Sequence, residues 1–278
     1  SDGVEVGTQQ SWDYLGEKTK LIFLNKMDRE NADFDKVLDD LEEAFGDAII
    51  PFSLPIGASD EFSGVVDILN KTAFGYSKKG DGKGKKINIP EELKDKVNEI
   101  NVALVERAAE SDESLMEKYF EQGELSPEEV RLGLLNGITS GSIIPVFVGS
   151  AAQNIGIDIL IDGVKSYIPA PSFVGPEMGS RSIDEEPTIE KSPNPNEPFS
   201  ALVFKLISEQ HVGDLTYFRV YSGKIKPGDD IQNTIRQTGE RMGQLFLSIG
   251  RSREEIPETQ ALTIFFSVSF ISSPHIYP

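Results

Sequence analysis

The chain has 278 residues, 27 basic and 46 acidic, for a formal net charge of −19 and a pI near 4.5. That is enough for two domains with buried cores, and 38% apolar residues exclude a disordered polar tract or a fibrous protein. The absence of cysteine removes disulfides, thiolate metal sites and thiol nucleophiles, and two distant histidines, His211 and His275, leave little for a His-rich metal site or a Ser-His-Asp triad.

The N-terminal SDGVEVGTQQ has neither a basic cap nor an apolar signal core, and no run approaches eighteen apolar residues. A soluble, cytoplasmic protein with no membrane partner is expected. Lys20 to Leu24 (KLIFL) reads as a buried parallel strand that stops at polar Asn25-Lys26. Phe34, Val37, Leu38, Leu41 and Phe45 then recur at helical spacing, with Gly46 placed to end the helix. IIPFSLPI, GVVDIL and KTAFGYS are short β-rich runs that suggest a small sheet. Its hairpin, GYSKKGDGKGKK at 75–86, sets five lysines among four glycines; a mobile tip and a polyanion contact are both open readings.

Pro90 opens a long helix with Leu93, Val97, Ile100, Leu104 and Val105 on one stripe, followed by a Leu115, Met116, Tyr119, Phe120 patch. Ser126-Pro127-Glu128-Glu129 is a capping-box start for another helix, ending near Gly141. IIPVFV at 143–148 is a second apolar strand, stopping at Gly149-Ser150-Ala151, and a helix from about Gly156 to Tyr167 follows. Two buried strands, each ending in a small polar motif before a helix, form adjacent βα units of an α/β sheet, with ligands expected beyond the strands' carboxyl ends. Residues 169–198 hold seven of the sixteen prolines and read as an interdomain linker. Beyond it the period changes to two, and an antiparallel barrel is expected.

Charge is uneven along this order: −2 over 1–32, −12 over 33–141, −5 over 142–198 and zero over 199–278. The global −19 argues against a protein that coats nucleic acid by electrostatics alone, yet the last segment is neutral and holds eight basic residues.

Asn25-Lys26-Met27-Asp28 matches N-K-x-D, the guanine-selecting element of GTPases. A carboxylate at Asp28 can accept from the N1–H and 2-amino edge of guanine, which adenine cannot offer. Asn25 can bond the opposite edge of the base and brace the neighbouring loop, while the Lys26 stem covers the ring face. A plain strand-end turn is the alternative for a motif this short. Gly149-Ser150-Ala151, at the end of the next strongly apolar strand, has the form of a second base-contacting loop.

At these residues the chain resembles the elongation factor G family of translational GTPases. The stretches that carry the resemblance are NKMDRENADF, LPIGASDEFSGVVDIL, AAESDESLMEKYFEQGELSPEEV, VFVGSAAQNIGIDILIDGVKSYIPAP, PFSALVFKLISEQHVGDLTYFRVYSGKIKPGD and SREEIPE, in order over roughly residues 3–260. The fold it implies is α/β: the second half of a P-loop GTPase sheet with an α+β inserted subdomain, followed by an antiparallel β-barrel domain. Residues 1–168 would be the partial GTPase domain, with the insert at about 33–141; 169–198 the linker; 199–260 the barrel; and 261–278 an unassigned tail. In the family the Ser150 hydroxyl would steady the aspartate, and a backbone N–H of the Ser150-Ala151 loop would meet guanine O6. Asn25, Lys26, Asp28, Ser150 and Ala151 are thus the candidate guanine-binding residues; none is a catalytic acid or base.

The resemblance further implies GTP or GDP as ligand, with Mg2+ in the intact family member, and a monomer that works on the ribosome. Its barrel would meet small-subunit RNA and its acidic insert the stalk protein. Departures are equally specific. No G-x-x-x-x-G-K-[ST] occurs, Asp13-Tyr14-Leu15-Gly16 is only a D-x-x-G lookalike, and the water-orienting histidine of the second switch is missing. A fragment that recognises guanine but does not hydrolyse GTP is therefore expected. ALTIFFSVSFISSPHIYP also departs from the family barrel; a later segment joined across a gap and an unrelated tail are both open, and as an exposed strand-former it would favour aggregation. Ribosome-recycling, ribosomal-protection and release-type relatives, and a non-catalytic ribosome-binding module, are the competing readings.

Overall fold

The structure, a computed structural model of the chain, is described for residues 3–78, 80–180, 185–209, 213–249, 252–261 and 264–268. It divides into two units, Ser1–Pro169 and Ala170–Pro278.

In the first unit, α1 (Val6–Leu15) precedes β1 (Ile22–Leu24), α2 (Phe34–Phe45) and β2 (Ile49–Pro51). Asp33 caps α2 by accepting from Lys36 N at 3.1 Å, and Gly46 ends it with φ 91°. A meander follows, β3 (Ser53–Ile56), β4 (Gly64–Asp67), β5 (Thr72–Gly75) and β6 (Lys85–Ile87), in sheet order β3-β4-β5-β6. Three helices come next, α3 (Glu91–Glu110), α4 (Glu113–Gln122) and α5 (Pro127–Ser140), then β7 (Ile144–Val148) and α6 (Ile157–Tyr167). The predicted stripe Leu93–Val105 lies within α3, and the Leu115–Phe120 patch falls on a separate helix, α4, started by Asp112, whose carboxylate accepts from Ser114 N and Leu115 N. The Ser126–Glu129 capping box forms as expected.

β7 pairs in parallel with β1 on one side and β2 on the other, giving the order β1-β7-β2. All five β7 residues are buried because both faces are covered. Ile144 and Val146 pack with Val37, Leu41 and Ile49, while Phe147 and Val148 join a larger cluster containing Phe52, Leu54, Val65, Ile68, Leu104, Leu134 and Ile138. The insert thus shares one core with the parallel sheet. IIPFSLPI, predicted as part of one small sheet, is divided: Ile49–Pro51 joins the parallel sheet and Ser53–Ile56 the meander. The junction is held by Phe52 N–H donating to Val146 O at 2.8 Å and Val148 N–H to the buried Ser53 Oγ at 3.0 Å.

The second unit begins with a short helix, α7 (Pro171–Val174), and an antiparallel ribbon of β8 (Glu177–Gly179) and β9 (Ile189–Lys191), within the stretch read as an interdomain linker. Then come β10 (Ser200–Glu209), β11 (Gly213–Ser222), β12 (Lys224–Ile225), β13 (Asp230–Asn233), β14 (Thr238–Arg241), β15 (Gln244–Ile249), β16 (Ser252–Ile256), β17 (Thr259–Gln260) and β18 (Ile264–Val268). Five form an antiparallel sheet in the order β10-β11-β18-β15-β16, and β12 with β17 and β13 with β14 make two ribbons. Phe218, Val220, Ile225, Met242, Leu245 and Ala261 form its core. β18 lies in the tail left unassigned by sequence, and pairs with β11 and β15. His211, His275 and residues 269–278 lie outside the described residues.

Candidate functional site

β1 and β7 run parallel with Leu24 opposite Val148, so the segments that leave their carboxyl ends, 25–28 and 149–151, emerge side by side. Three hydrogen bonds stitch them together. Gly149 N–H donates to Leu24 O at 3.0 Å, Met27 N–H to Gly149 O at 3.2 Å, and Ala151 N–H to Asn25 Oδ1 at 2.9 Å. Asn25 Oδ1 also accepts from Lys26 N at 2.8 Å. Lys26 is exposed and sits at φ 67°, a left-handed conformation that costs a lysine about 1 kcal/mol or more.

The 149–156 segment closes on itself. Ser150 and Ile155 exchange two backbone hydrogen bonds of 3.0 Å, and Asn154 turns the chain at φ 56°. Gly149 is required by close approach, since a Cβ there would lie 2.4 Å from Ile155 O. Ser150 is fully buried, and its hydroxyl oxygen accepts from Gln153 N at 3.1 Å. The Ser150 hydroxyl thus serves as an acceptor inside the closed turn, and of the two backbone N–H groups of this loop, that of Ser150 goes to Ile155 O and that of Ala151 to Asn25 Oδ1.

Asp28 follows buried Met27, and its Oδ1 is buried with no hydrogen-bond partner. Buried carboxylate oxygens are almost always paired, so an orphan one is a place for an incoming donor. Two N–H groups on one edge of a purine base are donors of the right kind. The turn that carries Asp28 is braced from the insert by Ser59, whose N–H donates to Met27 O at 2.9 Å and whose hydroxyl donates to Arg29 O at 2.9 Å. Ser59 was not singled out from sequence; thirty residues separate it from Arg29, and no local pattern marks the contact.

Beside the closed turn, α6 begins after Gly156, at φ 77°. Asp158 in its first turn accepts from Tyr76 Oη at 2.5 Å and from Gly84 N at 2.9 Å. Burial, and then the hydrogen bond and charge of Asp158, push the Tyr76 phenol well above its ordinary range. A cleft lined by Asn31, Asp33, Phe34, Leu54, Leu93 and Lys96 adjoins the loop but includes none of Asn25, Asp28, Ser150 or Ala151. Among the described residues no three Asp, Glu, His or Cys side chains converge as a metal site. Asp13, of the D-x-x-G lookalike, lies in α1 and accepts from Gln9 Nε2, which makes that stretch a helix end.

Residues 1–170 match the family model described as the elongation factor Tu GTP binding domain, and residues 198–265 that described as elongation factor G domain 2. The fold is also similar to that of a crystal structure of a Thermus thermophilus protein, with a TM-score of 0.77 at 25% identity over 96% of this chain. The matched region is 37% of that protein, so this chain spans little more than a third of its relative's length.

Proposed function

The chain belongs to the family of the elongation factor Tu GTP-binding domain, and on that premise we propose that it serves GTP-dependent movement of tRNA and messenger RNA on the ribosome, as an elongation factor G-type protein. Its own share of that task is guanine recognition. Asp28 accepts from the N1–H and 2-amino group of the base. Asn25 fixes the two loops against each other and reaches the opposite edge, the Lys26 stem covers the ring, and Ser150 and Ala151 shape the rim. The observation that carries this reading is the buried, partnerless Oδ1 of Asp28 in a turn already tied to the Ser150-Ala151 loop. Adenine offers no pair of donors there, and leaving that oxygen unpaired is what rejects it.

Phosphoryl transfer needs a phosphate cradle, a metal and a positioned water, and the 278 residues contain no phosphate-loop motif. The chain should bind guanine nucleotides weakly and turn none over. A GTP-binding-domain match followed by an elongation factor G domain 2 match supports a translation factor of this type, and the recycling and protection relatives remain the competing readings. Titration calorimetry with GDP, GTP and ADP tests the reading. Binding of the guanine nucleotides with ADP at least about tenfold weaker is expected. Equal binding of GDP and ADP overturns guanine recognition, and no nucleotide binding with retained ribosome binding favours the non-catalytic module.

A further inference from the structure

The lysine-glycine hairpin at 75–86 has no part in base recognition, yet it carries five lysines and one aspartate, a local charge of +4 in a chain of −19. Its backbone is held at several points. Tyr76 Oη and Gly84 N–H both donate to Asp158, and Tyr76 N–H donates to Ser63 O at 2.9 Å. Gly82, at φ 77°, lies so close to Asn154 that a Cβ there would fall 2.1 Å from its side-chain nitrogen. The strand that returns from the tip therefore rests on the same turn and helix start that follow Ser150 and Ala151.

The hairpin lysines differ from several other cations of the insert in what they touch. Lys94, Lys96, Arg107 and Lys118 are ion-paired, with Glu91, Asp35, Asp47 and Glu129 respectively. Lys78 donates to Asp60 O at 2.9 Å. Lys83, Lys85 and Lys86 are exposed and form no ion pair with any described residue. Lys85 and Lys86 sit on β6, an edge strand, where successive side chains point to opposite faces. Three ammonium groups within four residues, on a tethered backbone in a segment of net charge −12, form no ion pair among the described residues.

We infer that this hairpin is an electrostatic contact for the phosphate backbone of RNA. Each lysine that meets a phosphate releases a condensed counterion, so a short cluster suffices for a local, sequence-independent contact. The acidic remainder of the insert repels RNA and confines the contact to the hairpin. RNA is chosen over an acidic protein on the strength of the translational reading above. Lysines at a sheet edge also serve to block strand pairing, a role that has no RNA readout.

The test is fluorescence anisotropy of a labelled RNA stem-loop titrated with the full 278-residue chain across about 50–200 mM salt, alongside the triple variants K83A/K85A/K86A and K83R/K85R/K86R. Fluorescent GDP binding is measured on the same samples. RNA binding by the parent chain should weaken steeply with salt, and the alanine variant should bind about tenfold or more weakly with a log–log salt slope shallower by roughly 2–3. The arginine variant should retain binding. No RNA binding by the parent, an alanine variant that matches it in affinity and slope, or equal competition by polyglutamate overturns the inference. With guanine-selective GDP binding intact, such failure concerns the hairpin alone; guanine-blind binding overturns the reading on which the choice of RNA rests.

Discussion

Asn25 and Ala151 are 126 positions apart in the chain and joined by one hydrogen bond, the Ala151 N–H donating to Asn25 Oδ1 at 2.9 Å. Because Asn25 also receives the Lys26 N–H, one side-chain oxygen sets the spacing of both loops. Asn25→Ala removes both bonds. Ala151 is exposed, so water can take over its N–H, and the stability cost should be about 0.5–1.5 kcal/mol. Guanine affinity should fall further, about tenfold, because the loops lose their register. Thermal melting and GDP calorimetry on the same variant check the two effects separately.

Asp28→Asn changes the chemistry of the buried position and leaves its shape. An amide offers donors where the carboxylate accepted, which mismatches the 2-amino group of guanine and suits the 2-oxo group of xanthine. GDP affinity should drop on the order of 100-fold, as two charge-assisted bonds are lost. Xanthosine diphosphate should bind the variant better than GDP does; if GDP affinity is unchanged, Asp28 does not read the base.

Leu134 on α5 and Leu104 on α3 are fully buried in the cluster that also contains Phe147 and Val148 of the parallel sheet. Leu134→Ala should cost about 2–5 kcal/mol. Since the core is continuous, insert and sheet should melt in one transition and guanine binding should disappear with it. Phe120, 81% exposed, is the control: Phe120→Ala should change stability by no more than about 0.5 kcal/mol. Hydrogen exchange that finds the insert opening while residues 22–28 stay protected would refute the shared core.

Glu129 is held by the Lys118 ammonium, and by the N–H and hydroxyl of Ser126, so that its carboxyl titrates at about 2. The folded value lies below the unfolded one of 4.5. The stabilisation is therefore complete above that value and lost as pH falls toward 2. Amide protection factors at the start of α5, measured against intrinsic exchange at each pH, should fall across this window, and Glu129→Gln should remove that acid dependence and lower protection at neutral pH.

Glu121, Glu124 and Glu128 are exposed in the α4–α5 region, whereas Glu129 is occupied by its capping box and Lys118. If the acidic insert selects the ribosomal stalk protein, the triple Gln variant at 121, 124 and 128 should weaken stalk binding severalfold, most at low salt, and leave guanine affinity unchanged. Surface plasmon resonance with isolated stalk protein reads this directly. Unchanged binding would assign the charge to solubility.

Much of the local structure was legible from residue order alone. The box at Ser126–Glu129, the stripe from Phe34 to Phe45 and the doubly buried run at Ile144–Val148 are encoded in neighbours a few positions apart, where capping and periodicity act. The polar motifs after β1 and β7 were visible for the same reason. The partition of Ile49–Ile56 was not, because two short apolar runs one residue apart look alike until Val146 and Val66 claim them as separate partners.

By itself the sequence determined which residues could read a guanine base and where helices start and stop, since both depend on side-chain chemistry at short range. Only the tertiary structure decided that Ala151 gives its N–H to Asn25, that Ser150 turns to Gln153, that Ser59 braces the Asp28 turn, and that Ile264–Val268 slots between β11 and β15. Each of the longer links joins groups brought together by chain closure, and a hydrogen bond closed over thirty or a hundred residues leaves no spacing to read. The −19 belongs to both levels: its sum is compositional, but that Lys83, Lys85 and Lys86 form no ion pair among the described residues, while Lys94, Lys96 and Lys118 do, depends on where the carboxylates fold.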